Sequence, residues 1–83
     1  MKTTIREILS EVARLDVSVD SLDDDADLYE AGLTSVATVH MMLAIENALG
    51  VEMPDNMIQR ELFRSINSLA AAAETLRQPR EAA

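Results

Sequence analysis

The chain has only two glycines, Gly32 and Gly50, and two prolines, Pro54 and Pro79, in 83 residues, and this shortage of helix breakers limits its fold more than any other feature. The stretches between them are rich in Ala, Leu, Met and Glu, the residue types that lose least on entering a helix. An all-α fold follows. Tyr29 and Phe63 are the only aromatic residues, so the core must be aliphatic, filled by Leu, Ile, Val, Ala and five Met. A chain of this length forms one domain, expected over residues 1–77, and leaves little room for a deep active site.

Helix signals divide the chain further. Thr4-Ile5-Arg6-Glu7 fits a capping box, and Ile5, Ile8, Leu9, Val12 and Ala13 follow at helical spacing, which predicts a first helix from about Thr4 to Leu15. Residues 16–33 read as a long acidic loop pinned by Val17, Val19, Leu22, Leu28 and Leu33. Loops of that length without regular structure are often functional. A second helix starts at Thr34 or Ser35 and ends near Leu49, where Gly50 can take the left-handed position. Met53-Pro54 must be extended. Asp55 can cap a short third helix reaching about Leu62. Ser65 can cap a fourth, with Ile66, Leu69, Ala73 and Leu76 on its apolar side. Gln78-Pro79 ends it, and residues 78–83 are expected to be a disordered tail. The expected architecture is a four-helix bundle of three longer helices and one short one, with a long first connection.

The net charge of -8 is concentrated in one segment. Residues 16–30 hold seven acids and no base, while the rest of the chain is nearly balanced. Such a surface repels nucleic acid and anionic membranes and admits a basic protein partner. There is no cysteine, which excludes disulfides, thiolate chemistry by the chain itself and a cysteine metal site. The opening MKTTIREIL lacks the apolar run of a signal peptide, and no segment approaches a membrane span, so a cytoplasmic monomer is expected.

Three arrangements could carry chemistry. Asp23, Asp25 and Asp27 match the first alternating ligands of a calcium loop, but Leu28 stands where the turn needs glycine and Thr34 where a bidentate Glu is needed. A solvated acidic loop is the better reading, and no metal site is assigned. His40, the only histidine, lies five residues after Ser35, about 140° away around a helix, so it cannot serve Ser35 as a base, and no catalytic residue is assigned. On the second helix, Thr38, Met41, Met42, Ile45, Ala48 and Leu49 form a core stripe. Val36, Val39 and Leu43, with His40 and Asn47 beside them, form a second ridge, either covered by the loop or open as a docking surface. The methionines read as flexible core filling, or as an interior adaptable enough for a small apolar cargo.

The segment Glu30-Ala31-Gly32-Leu33-Thr34-Ser35-Val36 places two hydroxyls side by side. Thr34 can cap the second helix, which leaves Ser35 as its first residue with its hydroxyl near solvent. The helix start favours a negative group there. Gly32 permits a positive φ and leaves room for an enzyme to approach. Serine at a helix start is by itself ordinarily just a cap.

From Ile5 to Leu76 the chain resembles the acyl carrier protein family. Leu28 to Val36 stands in the place of that family's attachment motif. HMMLAIENALGVEMPD is similar to its second helix and the entry to its third, and FRSINSLAAAAETL to its fourth. The resemblance implies that Ser35 receives 4'-phosphopantetheine from coenzyme A, positioned by Thr34 and Gly32, and that the imported thiol holds cargo as a thioester. It implies as partners a phosphopantetheinyl transferase, a ligase that loads the thiol with an amino acid or acyl group, and a downstream acyl acceptor enzyme.

The departures from the family pattern are informative. Thr34 stands where Asp is usual, and Ala37, His40, Asn47 and Ala48 stand where fatty-acid carriers place acids, leaving Glu46 alone. That favours a dedicated partner reading Val36, Val39, His40, Leu43 and Asn47. ADLYEAGLTS and the REAA tail are similar to stand-alone carriers charged with an amino acid by a ligase resembling a truncated seryl-tRNA synthetase. A carrier for fatty-acid or secondary-metabolite synthesis, and an unmodified helical adaptor, are the alternatives.

Overall fold

The structure is a computed structural model and describes residues 1–77. Three α-helices, α1 (Lys2–Val12), α2 (Ser35–Leu49) and α3 (Ile66–Arg77), enclose one core, and there is no strand among the described residues. The fourth, short helix takes the form of two 3-10 turns, Asp55–Met57 and Arg60–Phe63. Ile58, at φ -84 and ψ 81, separates them, and runs this short settle into the tighter helix. Asp55 does not cap its turn: Pro54 holds the flanking position, with no side-chain hydrogen bond. The expected end at Gln78-Pro79 and the tail 78–83 lie outside the described residues.

α1 begins two residues earlier than its capping signal. Thr4 lies inside the helix, the Ile5 N–H donates to the Met1 carbonyl at 3.1 Å, and the capping box does not form. The earlier start lets Met1 pack on the core and lets the Lys2 ammonium reach Asp24 at 3.1 Å. Arg6, one turn on, donates to Asp24 at 2.7 Å and to the carbonyls of Val19 and Leu22 at 2.7 and 2.8 Å. These tertiary bonds replace the local box. The helix also stops early, because Ala13 is extended and buried, which turns the chain so that the Asp16 N–H meets the Ala31 carbonyl at 2.8 Å.

The acidic connection is largely tied down. Leu28 and Leu33 are buried, Val19 and Leu22 are half-buried, and only Val17 of the expected pins is exposed. A 3-10 turn at Val19–Ser21, which the sequence did not announce, is closed by Ser18 Oγ accepting the Asp20 N–H. The Leu28 N–H donates to the Arg64 carbonyl at 2.7 Å, and the Asn67 N–H to the Asp24 carbonyl at 3.0 Å. The carboxylates act as tethers: Asp24 holds Lys2 and Arg6, Asp25 accepts from the Asn67 amide, and Asp27 caps the Tyr29 N–H at 2.9 Å. The hydrogen bond from Arg6, followed by that from Lys2, holds the Asp24 carboxyl below its ordinary 3.8.

α3 starts at a pair of serines, Ser68 N–H donating to Ser65 Oγ and Ser65 N–H to Ser68 Oγ, so Ser65 caps as expected. Its buried side chains Ile66, Leu69, Ala70 and Ala73 meet Ile5 and Leu9 of α1 in the core. Met41 and Met53 are packed there too. Among the described residues no helix is long and apolar enough to cross a membrane.

Candidate functional site

The connection delivers the chain to α2 through Gly32, at φ +110, a conformation that side-chain-bearing residues rarely adopt. A Cβ there would lie 2.9 Å from Asp16 Oδ2 and 3.1 Å from the Asp16 N. The room at Gly32 is therefore taken by Asp16 and is not left open for an approaching enzyme. The glycine lets two distant parts of the loop touch and so aims the next three residues.

Leu33 is buried and anchors that turn, its N–H donating to the Leu28 carbonyl at 2.9 Å. Thr34 follows in extended geometry, φ -95 and ψ 164, and is the cap of α2. Its Oγ1 accepts the Ala37 N–H at 3.1 Å, and its carbonyl accepts the Thr38 N–H at 3.0 Å. Ser35 is the first helical residue and is exposed. Among the described residues its Oγ makes no hydrogen bond, although its carbonyl accepts from Thr38 Oγ1 at 2.6 Å. Thus one hydroxyl fixes the backbone while its neighbour points into solvent.

α2 presents two faces. Ala37, Met41 and Ile45 are buried at four-residue spacing, with Met42 and Leu49 half-buried. The expected core stripe is rotated slightly: Ala37 replaces Ala48, which is exposed, and Thr38 is only partly covered. A helix apolar on nearly every side does not dictate its own rotation; here Ala37 faces the core, where its small side chain permits close contact. On the other face Val36, Val39 and Leu43 are 66%, 51% and 48% exposed. His40 and Asn47 are exposed beside them, so the loop does not cover this ridge.

Glu46 is the one carboxylate on α2, and it turns inward. Its Oε2 accepts the Met53 N–H at 2.7 Å, and its carbonyl accepts the N–H groups of Gly50, at φ +65, and Val51. The exposed face therefore combines three aliphatic side chains with no free acid. Sequence reasoning missed this use of Glu46, for which the only signal was its position four residues before Gly50.

A shallow groove of about 330 Å³ flanks the start of α2, bounded by Val12 and Arg14 on one side and by Thr34, Val36 and His40 on the other. Among the described residues Arg14 makes no ion pair. This groove was not legible in the sequence, because it depends on where α1 ends.

The serine, its cap and the open helix face leave room for a covalently attached phosphodiester: the Ser35 hydroxyl is exposed and its backbone is fixed by the Thr34 cap. Comparison with known proteins gives the same picture. The family described as "Phosphopantetheine attachment site" matches residues 3–73. An aminoacyl carrier protein from Agrobacterium fabrum (strain C58) is 45% identical over 83 residues, all of both chains. A D-alanyl carrier protein from Leuconostoc mesenteroides is 34% identical over 77 residues, 92% of this chain and 95% of that one. Among solved structures, one match is to a crystal structure of an engineered Bradyrhizobium japonicum glycine:[carrier protein] ligase complexed with a carrier protein from Agrobacterium tumefaciens and AMP. It has a TM-score of 0.86 and 46% identity, and it covers 89% of this chain and 99% of that one.

Proposed function

Because the chain belongs to the phosphopantetheine-attachment family of carrier proteins, we propose that Ser35 is its attachment residue and that its cargo is an amino acid loaded by a dedicated ligase. The chain is a carrier and holds 4'-phosphopantetheine covalently, which supplies a terminal thiol for a thioester. The observation that carries the assignment to Ser35 is its exposed hydroxyl, without a hydrogen bond among the described residues, on the first residue of a firmly capped helix.

The chain's own residues divide the work simply. Ser35 Oγ bonds to phosphorus as the pyrophosphate linkage of coenzyme A breaks, its proton leaves, and adenosine bisphosphate departs. The base comes from the transferase, since His40 sits five residues along α2 on another side. Thr34 keeps the backbone at Ser35 fixed through its bond to the Ala37 N–H. Gly32 and Leu33 set the angle at which the chain enters α2. A negative phosphodiester at this helix start is favoured by the macrodipole.

The ridge of Val36, Val39, His40, Leu43 and Asn47 is the docking face in this reading. Its aliphatic character and the inward turn of Glu46 suit a partner that recognises apolar shape. Carriers that rely on rows of free carboxylates would instead meet partners through basic patches on those partners. The amino-acid cargo is supported by the likeness to aminoacyl and D-alanyl carriers and to a carrier bound to a glycine ligase. The transferase and the downstream acceptor enzyme complete the set of partners, and the chain itself performs no catalysis.

Loading tests this reading. The phosphopantetheinylated protein, incubated with ATP, magnesium, glycine and a glycine:carrier protein ligase, is expected to gain one aminoacyl group that hydroxylamine removes. Failure with every amino acid offered, alongside efficient loading by a fatty-acyl synthetase, would transfer the chain to the acyl carriers.

A further inference from the structure

The ridge and the attachment serine leave the groove between the end of α1 and the first turns of α2 without a role. It joins two kinds of surface. Val12 and Ala37 are half-buried and buried and form an apolar floor, while Arg14 and His40 are exposed on opposite sides. Ser35 does not itself line the groove, but Thr34 and Val36, its neighbours in sequence, do, so a flexible tether on Ser35 can reach it. Arg14 pairs with no acid among the described residues, although the protein carries a charge of -8. An accessible guanidinium without a carboxylate partner is the kind of donor that recognises a phosphate.

We propose that this groove is a resting site for the proximal half of the phosphopantetheine arm, with Arg14 facing the phosphodiester and Val12, Val36 and His40 lining the path of the branched aliphatic segment that carries the geminal methyl groups. The proposal rests on Ser35 being the attachment residue. The occupant matches the groove in order: an anion next to the tether point, then a branched aliphatic segment. Tethering makes the event intramolecular, so even weak contacts give measurable occupancy. One charge opposes it, since the Asp16 carboxylate lies against Gly32 at the groove's edge.

Val36 belongs both to the groove and to the exposed ridge. A partner that seats on Val36 therefore competes with the resting arm and frees it. Docking and release of the arm are then coupled through one side chain, without any movement of the helices.

Isotope-labelled apo and phosphopantetheinylated protein, with intact mass recorded on both, test this by NMR. The resting site predicts nuclear Overhauser contacts from the arm's geminal methyls to the methyls of Val12 and Val36. It also predicts amide shift changes that extend from Ser35 to Arg14 and His40. In Arg14→Ala these contacts and the remote shifts should weaken together with a change in the 31P shift, in Arg14→Lys they should partly return, and in Asp16→Asn they should strengthen. Circular dichroism on each variant guards against unfolding. A mass gain with shift changes confined to Thr34–Val36, and with an arm spectrum indifferent to Arg14→Ala, overturns the resting site alone. No mass gain at all overturns the attachment at Ser35 and the resting site with it.

Discussion

At the scale of single residues, three positions at the entry to α2, Gly32, Thr34 and Ser35, have separate jobs, and substitution separates them. Gly32 is required by its φ of +110 and by Asp16 lying where a Cβ would go. Gly32→Ala is therefore expected to destabilise the fold by about 1–3 kcal/mol in urea denaturation. Thr34→Ala removes the cap of α2 and should lose about 1 kcal/mol, with Thr34→Asp restoring most of it. Ser35→Ala removes an exposed hydroxyl with no partner among the described residues, and its stability should stay within about 0.5 kcal/mol of wild type. The Thr34–Ser35 division was readable in the sequence because capping is local chemistry. The role of Gly32 was only half readable: the positive φ follows from residue type, but Asp16 is sixteen positions away, and nothing in the local sequence brings it there. Thr4 shows the reverse error. Its local box was legible and does not form, because Lys2 and Met1 gain tertiary contacts from an earlier helix start.

Among the elements, α2 has the most to explain and was the least determined by its pattern. Its ends were clear from Thr34 and Gly50, but its rotation was not, since apolar residues lie on almost every side. Packing chose Ala37, Met41 and Ile45 for the core and left Val36, Val39 and Leu43 outside. If that ridge docks the ligase, Val36→Asp and Leu43→Asp should each lower loading efficiency by about tenfold or more, since each puts a charge into an interface that must lose water. Helicity by circular dichroism should be unchanged, because both sites are exposed. Loading at the wild-type rate would contradict the docking assignment. The short third element was legible as a position but not as a conformation. Pro54 announced a break, while the split into two 3-10 turns depends on Ile58 and on contacts made by Phe63 with the core.

At the scale of the whole molecule, the acidic connection holds the bundle together and aims the serine. Leu28 is fully buried, and its N–H is bonded to Arg64, so Leu28→Ala should cost about 2–5 kcal/mol and lower the thermal midpoint. Asp24 ties the loop to α1, and its carboxyl is held below 3.8 by Arg6 and Lys2. A depressed carboxyl stabilises the fold above the unfolded-state pKa and loses that contribution as pH falls through the folded value. Thermal midpoints measured downward from neutral pH should therefore fall on the acid side of about pH 4, near the unfolded carboxyl pKa, and Asp24→Asn should flatten that fall. The concentration of charge in residues 16–30 was plain in the sequence, but the tethering was not, because each carboxylate's partner lies on a distant element. What that tethering accomplishes is a fixed platform for a single exposed oxygen. Intact-mass analysis after incubation with coenzyme A, magnesium and a phosphopantetheinyl transferase tests this most directly. The wild-type protein should gain one phosphopantetheinyl group and folded Ser35→Ala none; an unmodified wild type, or a gain that persists in Ser35→Ala, would contradict the account.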